Sequence, residues 1–320
     1  MNKIINADFL ANELPDGCAD LIIADPPYYR VKGEFDFIWP DFAAYLIDVE
    51  KWADEMARLL ADNGTLFYYG DPKRIAYAQI ILDKRLNLLN SLVWYKGGHL
   101  HLEHSEDLRS FAPCTERVLM YSKDTLNLTG CVYVIRDYIR EQIEAAHGVV
   151  NLRAVNEVLG TATNGGGVAS ACLSLDKTEP AMITRPMYEK LKAWCSPLMA
   201  EPYENLREKY EAARAEYEET RRPFNNIHLQ SEVLQYSNEA TKTGAKYDHD
   251  TVKPETLTRV LIQTCSRVGD LVVIPFAGSG TECAMAAKEK RNFIGYEIEP
   301  KYCEMATKRV RQILRSPELF

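Results

Sequence analysis

Leu21-Ile22-Ile23-Ala24-Asp25-Pro26-Pro27-Tyr28 runs from four consecutive apolar residues straight into an acid, two prolines and an aromatic ring. Four apolar residues without alternation read as a buried strand of the kind found in parallel sheets. The turn after it is rigid, because proline fixes φ and removes the backbone donor, so Pro26 offers a ligand only its carbonyl. Asp25 adds a carboxylate acceptor and Tyr28 an aromatic face. Doubly wound sheets hold their ligands at the C-terminal ends of strands, which is where this turn falls. Two acceptors beside a stacking ring suit a flat aromatic ring with an exocyclic amino group, whose two hydrogens meet the two acceptors. A tight turn without a ligand is the plain alternative.

Outward from this stretch, residues 1–130 alternate short apolar runs with helical spacing. Strands are expected over 21–24, 64–69, 91–95 and 117–121, and helices over 42–60 and 80–89. That alternation implies parallel strands joined by crossover helices. Residues 131–223 change character, with helical spacing over 136–147, 152–159, 168–173, 185–194 and 202–220. A glycine-rich turn at 161–167 makes a helix-turn-helix conceivable there. The last of these helices has seven acids against three bases in 201–220, a solvated acidic face, and its Tyr203, Tyr210 and Tyr217 read as a packing stripe. Past residue 224 the α/β pattern returns, with strands over 227–236, 270–275 and 292–297 and helices over 255–265, 281–290 and 300–314. The fold class is therefore α/β, a Rossmann-like and mostly parallel sheet split by a helical insert: 1–130, 131–223 and 224–320.

A second motif, Phe276-Ala277-Gly278-Ser279-Gly280-Thr281, sits between the strand expected at 270–275 and the helix after it. Strand, glycine-rich turn and helix N-terminus make a nucleotide cradle, because glycines let the backbone approach a ligand and free N–H groups point at it. The spacing fits neither a phosphate loop nor Gly-x-Gly-x-x-Gly. Glu297 ends the next strand, where a carboxylate can accept from both hydroxyls of a ribose, or stand as an ordinary surface acid.

Composition narrows the field. The chain of 320 residues is 46% hydrophobic and 26% charged, an ordinary globular balance. Its 38 Lys and Arg against 46 Asp and Glu give a net charge of −8, which argues against a protein that coats nucleic acid nonspecifically. The eight cysteines lie too far apart for a CxxC metal pair or a dense disulfide framework. No apolar run spans a bilayer and residues 1–10 do not read as a signal peptide, so the cytoplasm is expected, with no membrane partner.

The ordered motifs resemble the β class of S-adenosylmethionine-dependent DNA amino-methyltransferases, enzymes of adenine N6 or cytosine N4. In that class the Asp-Pro-Pro-Tyr motif comes first, a target-recognition region second and the FxGSGT motif last. Asn6-Ala7-Asp8 resembles the family's adenine-contacting segment, His249-Asp250-Thr251-Val252-Lys253-Pro254 its His-Pro-Thr-Gln-Lys-Pro segment at the cofactor's methionine end, and Ile294-Gly295-Tyr296-Glu297-Ile298 the strand whose acid holds the ribose. The resemblance implies S-adenosylmethionine as cofactor, no metal, and cofactor contacts from Asp8, Phe9, Asp25, Thr251, Lys253, Phe276, Ala277, Gly278, Ser279, Gly280, Thr281, Glu297 and Ile298. It implies Asp25, Pro26, Pro27 and Tyr28 as the catalytic residues. Where the family has Asp-Pro-Phe before the glycines this chain has Ile274-Pro275-Phe276, and Asp250 and Val252 replace the Pro and Gln of the other segment. A lost polar contact to the methionine ammonium costs about 1–3 kcal/mol unless another acid covers it.

The implied activity is methyl transfer to adenine N6 of a base flipped out of double-stranded DNA, because Asp rather than Ser opens the motif. An RNA adenine N6-methyltransferase, a cytosine N4 enzyme and a noncatalytic nucleic-acid-binding subunit are the alternatives. A homodimer and a cognate restriction endonuclease are the further partners the family suggests. The insert is the candidate for target recognition although its 12 bases and 14 acids nearly cancel. Thr163, Asn164, Ser170, Lys177 and Arg185, around the helix-turn-helix-like turn, are the candidates for reaching base edges or phosphates. A helical packing module or a dimer contact is an equal alternative. Trp94, Lys96, His99, His101 and Arg109 suggest a DNA-clamping loop, against ordinary loop polarity.

Overall fold

The computed structural model describes residues 2–31, 34–97, 109, 111, 113–123, 133–164, 166–176, 180–237 and 252–315. The chain divides into two compact units, Met1–Thr125 with Arg222–Phe320, and Leu126–Arg221. Its helices are α1 Phe42–Leu59, α2 Ile75–Leu82, α3 Val134–His147, α4 Leu152–Leu159, α5 Val168–Leu173, α6 Arg185–Trp194, α7 Tyr203–Thr220, α8 Glu255–Cys265, α9 Thr281–Lys288 and α10 Pro300–Arg315.

The first unit is built on a sheet of strands β1 Asn2–Ile5, β2 Ala19–Ala24, β3 Leu60–Gly70, β4 Asn87–Tyr95, β5 Thr115–Ser122, β6 Val233–Gln235, β7 Leu271–Ile274 and β8 Asn292–Tyr296, in the order β1-β8-β7-β2-β3-β5-β4-β6. From β1 to β3 every pairing is parallel, and β5 runs antiparallel to both β3 and β4. The crossover pattern expected for 1–130 therefore stops at β3. Connections leave β2 through α1 toward β3 and leave β7 through α9 toward β8, in opposite directions. Sheets of this kind have their ligand crevice at such a reversal, here the C-terminal ends of β2 and β7.

Each face of the sheet is covered. On one side Val49, Ala53, Met56 and Leu59 of α1 and Ile75 and Leu82 of α2 pack with Ile22, Leu66 and Tyr68. On the other, Leu257 and Leu261 of α8, Cys283 and Ala284 of α9 and Val310 of α10 pack with Leu21, Ile23, Phe67 and Ile274. Each fully buried Leu, Val or Met contributes roughly 1.5–3 kcal/mol. Asp41 starts α1 by accepting from the Ala44 amide at 2.8 Å.

Several expected boundaries move. The helix expected over 80–89 lies at Ile75–Leu82 and β4 begins at Asn87. Six apolar residues in ten fit both periods, and pairing with β5 decides for a strand. The strand expected over 227–236 shrinks to Val233–Gln235, because Leu229 adopts a φ of 49° and breaks the run. The edge strand β1 has no counterpart in the sequence reading, since its exposed Asn2 and Lys3 become strand only by pairing with β8.

In the second unit α3 to α7 surround a core of Ile139, Ile143, Val155, Tyr188 and Leu191. The turn from α4 to α5 is held by buried Asn156, whose Oδ1 accepts from the Thr161 hydroxyl at 2.8 Å and the Ala169 amide at 2.9 Å. Gly167 is required there, since a Cβ would come within 2.3 Å of that oxygen and 2.2 Å of the Ala162 carbonyl. Tyr203 is buried and donates to the Ile183 carbonyl at 2.9 Å, a packing role. Among the described residues no helix is long and apolar enough to cross a membrane.

Candidate active site

Asp25 begins the turn at the C-terminal end of β2, its side chain 16% exposed at the crevice. Its Oδ1 accepts from the Tyr28 hydroxyl at 2.5 Å and its Oδ2 pairs with Lys253 Nζ at 2.7 Å. Nothing among the described residues donates to the Pro26 carbonyl, whereas the Pro27 carbonyl is taken by the Tyr45 hydroxyl at 3.0 Å. After the motif, Tyr29 and Arg30 adopt φ of 58° and 54°, unusual for residues with a side chain. Asp36 holds them there: its carboxylate accepts from the Tyr28 amide at 2.7 Å and its carbonyl from the Arg30 amide at 2.6 Å.

Lys253 is buried in a cage. Its ammonium lies 5.4, 5.0 and 5.8 Å from the ring centres of Tyr28, Tyr69 and Trp94 and 3.2 Å from Glu116 Oε2. Glu116 Oε1 pairs in turn with Lys96 at 2.6 Å. Burial alone would push the Lys253 ammonium down, but Asp25 and Glu116 reverse this and hold it above its ordinary range. Burial likewise opposes the charge on Glu116, and Lys253 and Lys96 overcome it, leaving its carboxyl below the ordinary value. Tyr28 stays a neutral donor, raised by burial and by the facing Asp25 and Glu116.

The glycine-rich loop joins β7 to α9 across the crevice. Gly280 takes a φ of 79° and sits so close to α10 that a Cβ would meet the Ala306 Cβ at 2.6 Å. Glu297, just past β8, accepts from the Gly278 amide at 2.7 Å and from the Glu299 amide at 2.9 Å. Its carboxyl is raised by burial, against those two amide bonds. Asn6 ties β1 to this corner by donating to the carbonyls of Glu297 and Ile298 at 2.8 and 2.9 Å. Asp8 is exposed with Oδ1 bonded to the Leu10 amide, Phe9 is buried against Phe276 and Tyr296, and Ile298 is 65% exposed. Ser279 and Thr281 are buried with their hydroxyls on Arg309 of α10, at 3.3 and 2.6 Å.

The parallel strands thus bring Asp8, Asp25, the 276–281 loop and Glu297 to one edge of the sheet, and Lys253 joins Asp25 there. Thr251 and Lys177 lie outside the described residues, as do His99 and His101. Trp94 is buried on β4 and Lys96 is ion-paired within the cluster, so neither forms a free clamping loop. Arg109 is exposed in the first unit. Thr163, Asn164 and Arg185 are exposed and Ser170 half-buried in the second, with Arg185 paired to Glu204 at 3.0 Å. Glu116, Asp36 and Glu282 escape the sequence reading. Only the register that sets Glu116 opposite Trp94 reveals the first of them.

The family model described as a DNA methylase of the N6/N4 type matches residues 19–308. The type II methyltransferase M.HpaI of Haemophilus parainfluenzae is 25% identical over 311 residues, covering 95% of this chain and 72% of that one. The DNA adenine methyltransferase YhdJ of Escherichia coli K12 is 23% identical over 315 residues, covering 96% and 82%. The crystal structure of the M1.HpyAVI complex with S-adenosylmethionine superposes with a TM-score of 0.52 at 16% identity, over 97% of this chain and all of the other. With its parallel sheet, its Asp25 turn and its glycine-rich loop at one edge, this chain belongs to the N6/N4 family of DNA methylases.

Proposed function

We propose that this chain methylates adenine N6 in double-stranded DNA, with Asp25, Pro26, Pro27 and Tyr28 as its catalytic turn. The observation that carries the proposal is the Pro26 carbonyl, to which none of the described residues donates, beside the Asp25 carboxylate. An aromatic amine is a poor nucleophile because its lone pair is delocalised into the ring. Accepting its two hydrogens at those oxygens favours a more tetrahedral nitrogen and stabilises the positive charge that develops there. Asp25 keeps lone pairs for this beside Tyr28 and Lys253. Tyr28 supplies the stacking face, and flipping the base to reach it costs roughly a few kcal/mol.

The cofactor is S-adenosylmethionine, which supplies an electrophilic methyl group on a sulfonium. The residues present fit it: Glu297 for the ribose, the exposed Asp8 and Ile298 around the adenine, and a glycine-rich loop that is half-buried at Gly278. Proximity supplies much of the acceleration, since donor and acceptor need only be held about 3–3.5 Å apart. Target recognition then falls to the insert 131–223, through Thr163, Asn164, Ser170, Lys177 and Arg185, with Lys96 and Arg109 in the unit that carries the catalytic turn. The chain's further partners in this reading are a second copy of itself and, on the type II designation of M.HpaI, a cognate restriction endonuclease, in the cytoplasm.

The test incubates purified protein with S-adenosylmethionine and unmodified duplex DNA and RNA, then identifies methylated nucleosides by mass spectrometry. N6-methyladenine in the DNA alone is the expected result. N4-methylcytosine would move the target within the family, N6-methyladenine in RNA would move the substrate, and no product in either pool would mean a noncatalytic subunit.

A further inference from the structure

Glu282 stands in the first turn of α9, directly after the glycine-rich loop, and is 5% exposed. Its Oε1 is buried and has no hydrogen-bond partner among the described residues. An unpaired buried carboxylate oxygen is costly to a protein and calls for a partner that the described residues do not supply. Burial, then the charge of Asp25, raises its carboxyl to about 7, with Lys253 and Arg309 acting in the opposite sense. Glu282 is therefore within electrostatic reach of the catalytic turn.

Charge and reach identify the missing partner. Asp25, Glu116, Lys253 and Lys96 form a cluster of two anions and two cations, already neutral without Glu282. The cofactor brings a sulfonium, an ammonium and a carboxylate, one net positive charge. For methyl transfer to an amine held at Asp25, the bound cofactor would present its sulfonium on that side of the turn. The ammonium is tethered to the sulfur by a short chain, with a reach of roughly 5 Å. A sulfonium has no hydrogen to donate and a carboxylate only accepts, so at the cofactor's methionine end the ammonium is the group that can donate to Glu282. Ile274, at the end of β7, is fully buried in the apolar core and provides no such acceptor.

We infer that Glu282 is the cofactor-specificity residue that binds the α-ammonium of S-adenosylmethionine, in the place of an acid that position 274 lacks. The inference rests on the cofactor reading of the 276–281 loop. Its test is isothermal calorimetry on the full chain with three ligands: S-adenosylmethionine, decarboxylated S-adenosylmethionine, which keeps the ammonium, and 5′-methylthioadenosine, which has no amino-acid portion. Glu282→Gln removes the charge at constant shape. It should weaken the first two ligands by about ten- to a hundredfold and leave the third unchanged. Unchanged affinity for all three, loss on all three alike, or loss on S-adenosylmethionine alone would overturn the assignment. A wild-type chain that binds none of them would overturn the cofactor site, and this inference with it.

Discussion

Lys253 holds a full charge while 4% exposed, and two carboxylates with three aromatic rings make that tenable. Removing one member of such a buried cluster leaves the others uncompensated. Lys253→Met should therefore destabilise the chain by about 3–5 kcal/mol, and adding Glu116→Gln should recover part of the loss, both read by urea unfolding. Asp25→Ala should abolish methyl transfer in the nucleoside assay and leave S-adenosylmethionine affinity within a few-fold by calorimetry; an equal loss of both would make Asp25 structural. Asp25 and its two prolines are legible one by one, because their chemistry lies in the residue types and in their place after an apolar run. Glu116 is not. It opens a strand as any exposed acid might, and its role exists only through the β4–β5 register and two lysines distant in sequence.

Helices α9 and α10 act together on the glycine-rich loop. Arg309, 2% exposed on α10, reaches Thr281 and Ser279 and pairs with Glu255 at the start of α8 at 2.7 Å. Arg309→Met keeps the bulk and removes these bonds, so cofactor affinity should fall while α10 stays folded, checked by calorimetry against circular dichroism. Glu282 on α9 gives a pH signature. Its carboxyl is raised from 4.5 to about 7, so the folded chain binds more protons than the unfolded one between those values. Stability from this group is greatest below about pH 4.5, falls as pH rises toward 7, and stays low above it. Glu282→Gln should flatten that slope and raise the apo midpoint at pH 8, by on the order of 3 kcal/mol at most. Helix periods were readable wherever one face alone is buried, as in α3, α4 and α8. They failed at 80–89, where the same leucines serve a helix end and a paired strand.

At the scale of the molecule, the two units have separate cores, with Ile139 and Tyr188 in one and Ile22 and Phe67 in others. Target recognition and chemistry should therefore be separable by mutation. Asn164→Ala with Arg185→Ala should weaken DNA binding in a fluorescence titration, with a shallower salt dependence, and leave S-adenosylmethionine affinity unchanged. The split of the α/β pattern around a helical segment was visible because periodicity changes sharply on both sides. The antiparallel β5 and the edge strand β1 were not, since strand order is a property of pairing rather than of any one segment.

The central strand β2 has its neighbours at opposite ends of synthesis. β3 follows it closely, but β7 leaves the ribosome roughly 250 residues later, after the whole insert. Asn2 waits longer still for the amide of Phe293, 291 positions away. A nascent chain thus carries the 25–28 turn beside an unfilled gap, without the Lys253 that pairs with Asp25, with no loop across the crevice and no α10 behind it. Translation order withholds the assembled site until α10 has emerged, and a truncated product would present the naked flank of β2 to whatever strand passes by.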